Sequence, residues 1–380
     1  MTSTEIKDSV VSDALLNPQP ALPRVLINIQ FLRFAAAMLV VFYHASAHLK
    51  STGVDQGWFF SMGEAVGFAG VDVFFVISGF IMAYTTTDSL GVGPGIGFAK
   101  RRVARIYSGY WPFYLLAIAL FAWIGGDYLA NVALWRSAIL WPAGNPLISV
   151  SWTLVYEMFF YVVFTLLIIF TGSHRRLLLK ILLLAIVSWS VYSQFVRHAY
   201  DPGQLEFLSL AEAYMFSPYL AEFLCGALLA GWISHNQTGP SWSLLLLGCW
   251  LFLMGGWVNN VWFDGRIEQG YYIFWRVLVF GTASLFILTG LIRLEFREKK
   301  TALRFSLAAG GASYAIYLCH VLWLTATQHL GLNSYLGQFS AWIVQLVFLV
   351  YAVFILYYSM WHYRMIEQPL HRLFKKWLQI

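Results

Sequence analysis

Apolar runs near the length of about 20 residues that crosses a hydrocarbon core recur about ten times along the chain. They begin near Leu26, Glu64, Tyr107, Trp152, Leu177, Tyr214, Trp242, Tyr271, Ser306 and Gly337. The polar stretches between them are too short to form a separate soluble domain. This pattern predicts an all-α fold: a polytopic integral membrane helical bundle of about ten transmembrane helices in one domain, residues 24–366. Residues 1–23 mix Ser, Thr, Asp and Pro without apolar periodicity, and lack the basic-then-apolar pattern of a cleaved signal peptide. They read as a mobile cytoplasmic tail. Residues 367–380 are basic and amphipathic, and are expected to lie on the inner leaflet where Lys and Arg meet anionic lipid. The longest exported connection, from about Gly125 to Ser151, holds Trp135, Trp141, Pro142, Asn145 and Pro146. It is too broken for a clean span and reads as a surface helix or a re-entrant cap.

Composition agrees. The 380 residues are 59% hydrophobic and 11% charged, with a mean hydropathy of +0.66, whereas soluble domains carry about a quarter charged residues. Charge then orients the bundle, because cytoplasmic connections collect Lys and Arg. With both termini cytoplasmic, 18 of the 24 cations fall on the inner side. The exported side holds Lys50, Arg136, Arg197 and Arg266, while Arg33 and Arg276 sit within spans. A net charge of +6 serves this orientation, and no nucleic-acid partner is expected. Cys225, Cys249 and Cys319 lie in apolar runs without paired spacing, so they read as buried packing residues. The histidines lack the close carboxylate or Cys spacing of a ligand set, and no metal is expected.

A charged side chain at the centre of a span costs about 2.5–3.5 kcal/mol on insertion scales. Each one therefore needs a partner or a function. The candidates are Arg33 and His44 on the first span, Asp72 on the second, Glu157 on the fourth, Glu222 on the sixth, Arg276 on the eighth and His320 on the ninth. Arg33 and His44 are eleven residues apart, which on a helix is one face at depths differing by about 16 Å. His44, Asp72, Glu157, Glu222, Arg276 and His320 all fall in the exported half by position along their spans, and are expected to share one layer around a cavity. Buried carboxylates, Arg and His also hold membrane helices in register, and Glu222 and Arg276 fit that role as well as a catalytic one. Asp72 and Glu157 admit two readings: orienting a His through its second ring proton, or pairing with Arg276. His44, a base of neutral range above an Arg on the same face, suits anion holding combined with proton transfer.

On the cytoplasmic side, Lys100, Arg101, Arg102 and Arg105 precede the third span. They serve either as a topology anchor or as an anion clamp, with Arg102 and Arg105 projecting from one helical turn. Gly91, Gly93, Gly95 and Gly97 have no strand before them and read as a flexible linker rather than a phosphate loop. The 17 Trp and 31 Phe are explained by aromatic belts at the membrane faces, and assign no acceptor site.

Several of these residues stand in recognisable motifs. Ile29-Gln-Phe-Leu-Arg33 is followed after ten residues by His44, and then by Gly70-Val-Asp72-Val-Phe-Phe-Val-Ile-Ser-Gly79-Phe. Arg102-Val-Ala-Arg105, Ser151-Trp-Thr-Leu-Val-Tyr-Glu157-Met-Phe-Phe-Tyr, Ser313-Tyr-Ala-Ile-Tyr317-Leu-Cys-His320 and Ile366-Glu367-Gln-Pro369 follow in order. Together, from about Ile27 to Phe374, they resemble the membrane-bound acyltransferase family 3, and the Ser151–Tyr161 motif and short length look more like its exopolysaccharide branch. The resemblance implies an O-acetyltransferase of the bacterial inner membrane that moves acetyl from acetyl-CoA to a hydroxyl of an exported or lipid-linked polysaccharide. By motif, His44 would be catalytic with Arg33 as its partner, Arg102 and Arg105 would hold CoA, and Asp72 and Glu157 match acidic positions. Tyr317, His320 and Glu367 match positions of supporting role, whereas Glu222 and Arg276 match none and rest on depth alone.

The expected chemistry has CoA phosphates near Arg102 and Arg105 on the cytoplasmic side and a pantetheine arm reaching outward past Arg33. His44 acts as general base on a sugar hydroxyl, or as a transient acyl carrier. Arg33, Arg276 or a backbone N–H supplies the oxyanion donor. The main rival is a glycolipid or polysaccharide-intermediate transporter or flippase, which also needs polar groups at membrane depth. No inverted internal repeat of the kind such proteins often show stands out. A second rival is a structural protein whose buried ion pairs only fix packing.

Overall fold

A computed structural model of the chain describes residues 25–380 apart from 88, 126–128, 143–145, 200–209, 234–235 and 237–238. The tail 1–23 and Asn145 lie outside the described residues. The described residues form helices and connections without a strand. Nine helices among them are long and apolar enough to cross a membrane: α1 (Ile27–Lys50), α2 (Gly57–Thr85), α3 (Val92–Ile124), α4 (Ser149–Phe170), α5 (Arg175–Phe195), α6 (Ala213–Ile233), α7 (Trp242–Trp262), α8 (Gly270–Arg297) and, last in the chain, α10 (Ala341–Leu378). The bent pair Phe305–Gly311 and Ser313–His329, with a 58° break between its halves, completes the set as α9. The chain is thus a polytopic membrane protein. Exposed apolar side chains such as Leu184 on α5, Leu246 on α7 and Val350 on α10 put these three helices at the lipid perimeter, where saturated backbone and apolar surface are required. Of the three cysteines, Cys319 is buried and Cys225 half-buried, but Cys249 is exposed: it sits on perimeter α7, where an apolar run faces lipid rather than a core.

The centre is built from α1, α2, α6, α8 and α9, and two kinds of contact set their depth. The first amides of α1, which have no intrahelical acceptor, donate from Ile27 and Asn28 to the two carboxylate oxygens of Glu295 on α8, both at 2.8 Å. The Asn28 side chain bridges onward to the carbonyls of Leu291 and Lys300. The second kind is glycine-mediated approach, the main way helices pack closely in lipid. A Cβ on Gly79 would collide with the Phe223 carbonyl, and one on Gly226 with the Val76 carbonyl, so α2 and α6 meet backbone to backbone. Gly67 and Gly70 bring α2 equally close to the carbonyls of Leu39 and Ala36 on α1. Gly79→Ala is expected to lower stability by about 1–3 kcal/mol or more, because the obstructing atom is backbone and cannot rotate away. A drop in the melting temperature of the detergent-solubilised protein checks this.

The glycine-rich segment expected to be a linker is helical. Gly93, Gly95 and Gly97 lie inside α3, which is 33 residues long, and a Cβ on Gly95 would run into Ile169 of α4. Small residues here permit helix contact rather than looseness. The Gly91 amide donates to Ile168 O at 2.9 Å, pinning the start of α3 to the end of antiparallel α4. Counting back from that pin at 1.5 Å per residue, α4 begins only about level with residue 110 of α3. The connection before α4 therefore dips back along α3. Tyr110 and Tyr114 donate to the carbonyls of Ser137 and Leu134, and Trp111 Nε1 to that of Ala138. The connection's short helix Leu134–Ala138 is thereby held about 15–25 Å back from the end of α3. Side chains supply the backbone partners that lipid cannot.

Two π-helical turns interrupt the spans, at Val277–Gly281 directly after Arg276 and at Tyr363–Glu367. Beyond the second, the helix continues as Gln368–Leu378 and packs on α3, with Lys100 Nζ donating to Leu378 O and Trp111 against Phe374.

Candidate functional site

Two cavities lie one beyond the other along α1. The first, about 240 Å³, is lined by Arg33, Arg102, Arg105, Glu157, Thr153 and Tyr317 among others. The second, about 220 Å³, is lined by His44, Arg276, Glu268, Tyr43, Trp152 and Tyr317 among others. Tyr317 and Val71 belong to both walls. The Tyr317 hydroxyl donates to Val150 O at 3.1 Å and accepts from Thr153 Oγ1 at 3.0 Å. It is thereby held at the start of α4, between the two spaces.

The eleven-residue spacing on α1 works as the helix geometry requires, with Arg33 on the first cavity and His44 on the second. In the arginine cavity, Arg33 reaches Gln30 Oε1 at 3.4 Å. Arg102 lies over the rings of Phe98 and Tyr161 and meets Thr85 Oγ1 at 3.5 Å. Among the described residues, none of the three arginines forms an ion pair within 4.0 Å, so guanidinium donors remain for an anionic ligand. Glu157 and Glu367 are electrostatic neighbours of both Arg33 and Arg105. Glu157 accepts from the Tyr161 hydroxyl, while Glu367 sits in the second π turn, close against Gly109 of α3.

In the histidine cavity, His44 Nδ1 is 3.0 Å from Val40 O and 3.2 Å from His320 Nε2. His320 Nδ1 is 3.1 Å from Ile316 O. A carbonyl can only accept, so both rings carry their proton on Nδ1, the tautomer the network imposes. The His44 Nδ1–H is then shared between Val40 O and the lone pair of His320 Nε2, and His44 Nε2 keeps its own lone pair for proton abstraction. Arg276 is held by Asp72: its Nε lies 3.2 and 3.1 Å from the two carboxylate oxygens, and its Nη2 lies 2.7 Å from Oδ2. Nη2 also donates to Phe68 O at 3.1 Å, and the guanidinium stacks on the rings of Phe68 and Tyr219. Both members of this pair are buried, where an ion pair needs good geometry and further hydrogen bonds.

The single layer expected from span positions is divided. His44, His320 and Arg276 come together, with Asp72 behind Arg276. Glu157 does not join them. Because α4 starts deep, Glu157 lies eleven residues before the Ile168 pin and so level with Arg102, eleven residues beyond Gly91. Asp72 resolves to the pairing with Arg276 rather than to orientation of a His, and Glu157 takes neither of its two expected partners. Glu222 is buried against Gly281 at the first π turn, with its carboxyl beside that of Asp72, and lines neither cavity. Arg33 is one cavity away from His44, which leaves Arg276 as the cation beside that base. Among the described residues no cluster of three or more His, Cys, Asp or Glu could hold a metal.

Sequence reasoning missed Glu268, Tyr43 and Trp152. Glu268 lies in the α7–α8 connection, where a carboxylate reads as solvated. Burial instead pushes its carboxyl above the ordinary range. Tyr43 and Trp152 were hidden among residues that belong equally to a membrane aromatic belt.

Known proteins resemble this chain over much of its length. Residues 26–364 match the profile of a family described as acyltransferase domain. The chain is 29% identical over 290 residues to the exopolysaccharide production protein ExoZ of Rhizobium meliloti (strain 1021), covering 72% of this chain and 81% of that protein. It is 35% identical over 103 residues to protein 2 in the picA locus of Rhizobium radiobacter, covering 26% of this chain and 46% of that protein. No solved structure matches.

Proposed function

The chain belongs to the acyltransferase domain family, and from that premise we propose that it is an O-acetyltransferase of a bacterial inner membrane. It takes acetyl from cytoplasmic acetyl-CoA and transfers it to a hydroxyl of an exported or lipid-linked polysaccharide. The observation that carries this reading is the pair of cavities meeting at Tyr317, one rich in unpaired arginines and the other holding a histidine with a free lone pair. The likeness to an exopolysaccharide production protein supports the carbohydrate acceptor. The cation asymmetry of the connections supports an orientation with the arginine cavity toward the cytoplasm.

In this reading the anionic groups of CoA are bound by Arg102 and Arg105, with Arg33 further along α1 guiding the pantetheine arm. Glu157 and Glu367 keep the arginine cluster from being uniformly repulsive. The acetyl thioester passes Tyr317 into the histidine cavity. His44 Nε2 removes the proton of the sugar hydroxyl as that oxygen forms a bond to the acetyl carbonyl carbon. Arg276, fixed by Asp72, stabilises the developing oxyanion. The carbon–sulfur bond then breaks, and the CoA thiolate leaves with the proton that His44 returns. His320 holds His44 through Nδ1, much as the third member of a triad orients its base.

The test is transfer of radiolabel from acetyl-CoA into polysaccharide by membranes carrying the chain. Wild-type membranes should label the glycan. Arg102→Ala and Arg105→Ala should each raise the KM for acetyl-CoA by about tenfold or more, as expected for loss of a charge-assisted contact. Unchanged KM values in both variants would refute the CoA assignment.

A further inference from the structure

The α7–α8 connection is built to deliver one side chain. At the end of α7, Asn259 donates from Nδ2 to Ala65 O on α2 at 3.2 Å, and its Oδ1 accepts from the Ile267 amide at 2.9 Å. Ile267 is fully buried. The Gln269 amide returns to Arg266 O, and that of Tyr272 to Gln269 O, both at 2.9 Å. The segment is therefore fixed on both sides of Glu268, whose side chain forms part of the wall of the histidine cavity.

There the carboxylate is incompletely satisfied. Its Oε2 is buried and has no hydrogen-bond partner, a rare state for a carboxylate that calls for an explanation. The cation sharing the cavity, Arg276, directs its Nε and Nη2 donors to Asp72 and Phe68 O. Arg266, also an electrostatic neighbour of Glu268, instead pairs with Asp264 at 3.0 Å. The rest of the wall includes the aromatic rings of Tyr43, Phe68, Trp152 and Tyr317. A carboxylate whose unpartnered oxygen is enclosed in the wall, beside flat apolar faces and a space of about 220 Å³, is matched, once it turns toward that space, by a ligand with hydroxyl donors and C–H faces. The volume is below the roughly 300–1,000 Å³ of sites for larger organic ligands, which suits one sugar ring of a longer chain.

We propose that Glu268 is an acceptor-binding residue whose carboxylate takes a hydrogen bond from a sugar hydroxyl next to the one presented to His44, while the aromatic wall holds the ring. This rests on the acyltransferase reading for its chemistry, but it makes a binding claim that can be measured without turnover. Glu268 thereby contributes to which sugar, and which of its hydroxyls, is acylated.

The probe is an oligosaccharide fraction released from the exopolysaccharide of the producing cell and chemically de-O-acylated. It is titrated against the full-length protein in lipid nanodiscs, with tryptophan fluorescence as the readout because Trp152 lines the cavity. Acetyl-CoA binding, which uses the other cavity, serves as the control for folding. Glu268→Ala is expected to weaken oligosaccharide binding about 10- to 100-fold, the range for a hydrogen bond to a charged group. Glu268→Gln, which keeps one acceptor oxygen, is expected to fall between that variant and the wild type. Equal affinity in wild type and Glu268→Ala would overturn the assignment, and so would failure of the wild type to bind the oligosaccharide. If the wild type binds and Glu268→Ala does not, yet no acetyl is transferred, the site stands and the acetyltransferase reading fails. The two ideas are thus separable.

Discussion

His44→Gln is expected to reduce acetyl transfer by about 10²–10⁴-fold, the usual worth of a positioned general base, while leaving the protein in the membrane at wild-type abundance. The expectation rests on the tautomer: Val40 O and Ile316 O fix the protons on Nδ1 of His44 and His320, so Nε2 is the atom of His44 left to take a proton, and His44 lines the second cavity. Glutamine is close in size and retains an N–H donor for Val40 O, but its side chain cannot take up a proton at neutral pH. Label incorporation from acetyl-CoA at matched abundance is the measurement. Labelling equal to wild type would remove His44 from catalysis and leave the buried polar groups a packing role only. The same assay separates direct transfer from a relay. Rapid quench without acceptor should trap labelled protein if His44 carries the acyl group, and label that stays with CoA favours the direct route.

The bundle was legible because its signals are long and redundant. Each of the ten apolar runs maps to a helix, the ninth to a pair bent by 58° between Gly311 and Ser313. Depth was legible on α1, since eleven residues of unbroken helix fix both azimuth and rise for Arg33 and His44. It was not legible on α4, where position within the span misplaced Glu157. The cause lies in another segment: the connection around Leu134–Ala138 folds back along α3, so α4 starts deep. Nothing in the α4 sequence records that dip. The hydrogen bonds that hold it come from Tyr110, Trp111 and Tyr114, which also read as ordinary belt aromatics. Asp72 had two chemically equal partners in prospect, and only the approach of α2 and α8 decides for Arg276. Glu268 escaped because its burial depends on Asn259 and Ala65, contributed by two other helices.

The Asp72–Arg276 pair allows a prediction that divides structure from chemistry. Removing either partner alone upsets the charge balance of a buried cluster that also includes Glu222 beside Asp72, a loss of about 3–5 kcal/mol. Asp72→Ala and Arg276→Ala should therefore each lower the melting temperature of the detergent-solubilised protein, and both should lose activity for that reason alone. The informative variant is the double replacement Asp72→Leu with Arg276→Met. Exchange of a buried ion pair for apolar groups of similar volume is often neutral or stabilising, and the rings of Phe68 and Tyr219 that flank the guanidinium suit a thioether equally well. The double variant should regain the wild-type melting temperature. Acetyl transfer should stay low nonetheless, because Arg276 lines the cavity of His44, and a preorganised donor at the oxyanion is worth about 10²–10³ in rate. Recovery of both stability and transfer would show that the pair only holds α2 against α8, and would shift oxyanion stabilisation to a backbone amide. Recovery of stability without transfer assigns Arg276 to the chemistry and Asp72 to holding it in place.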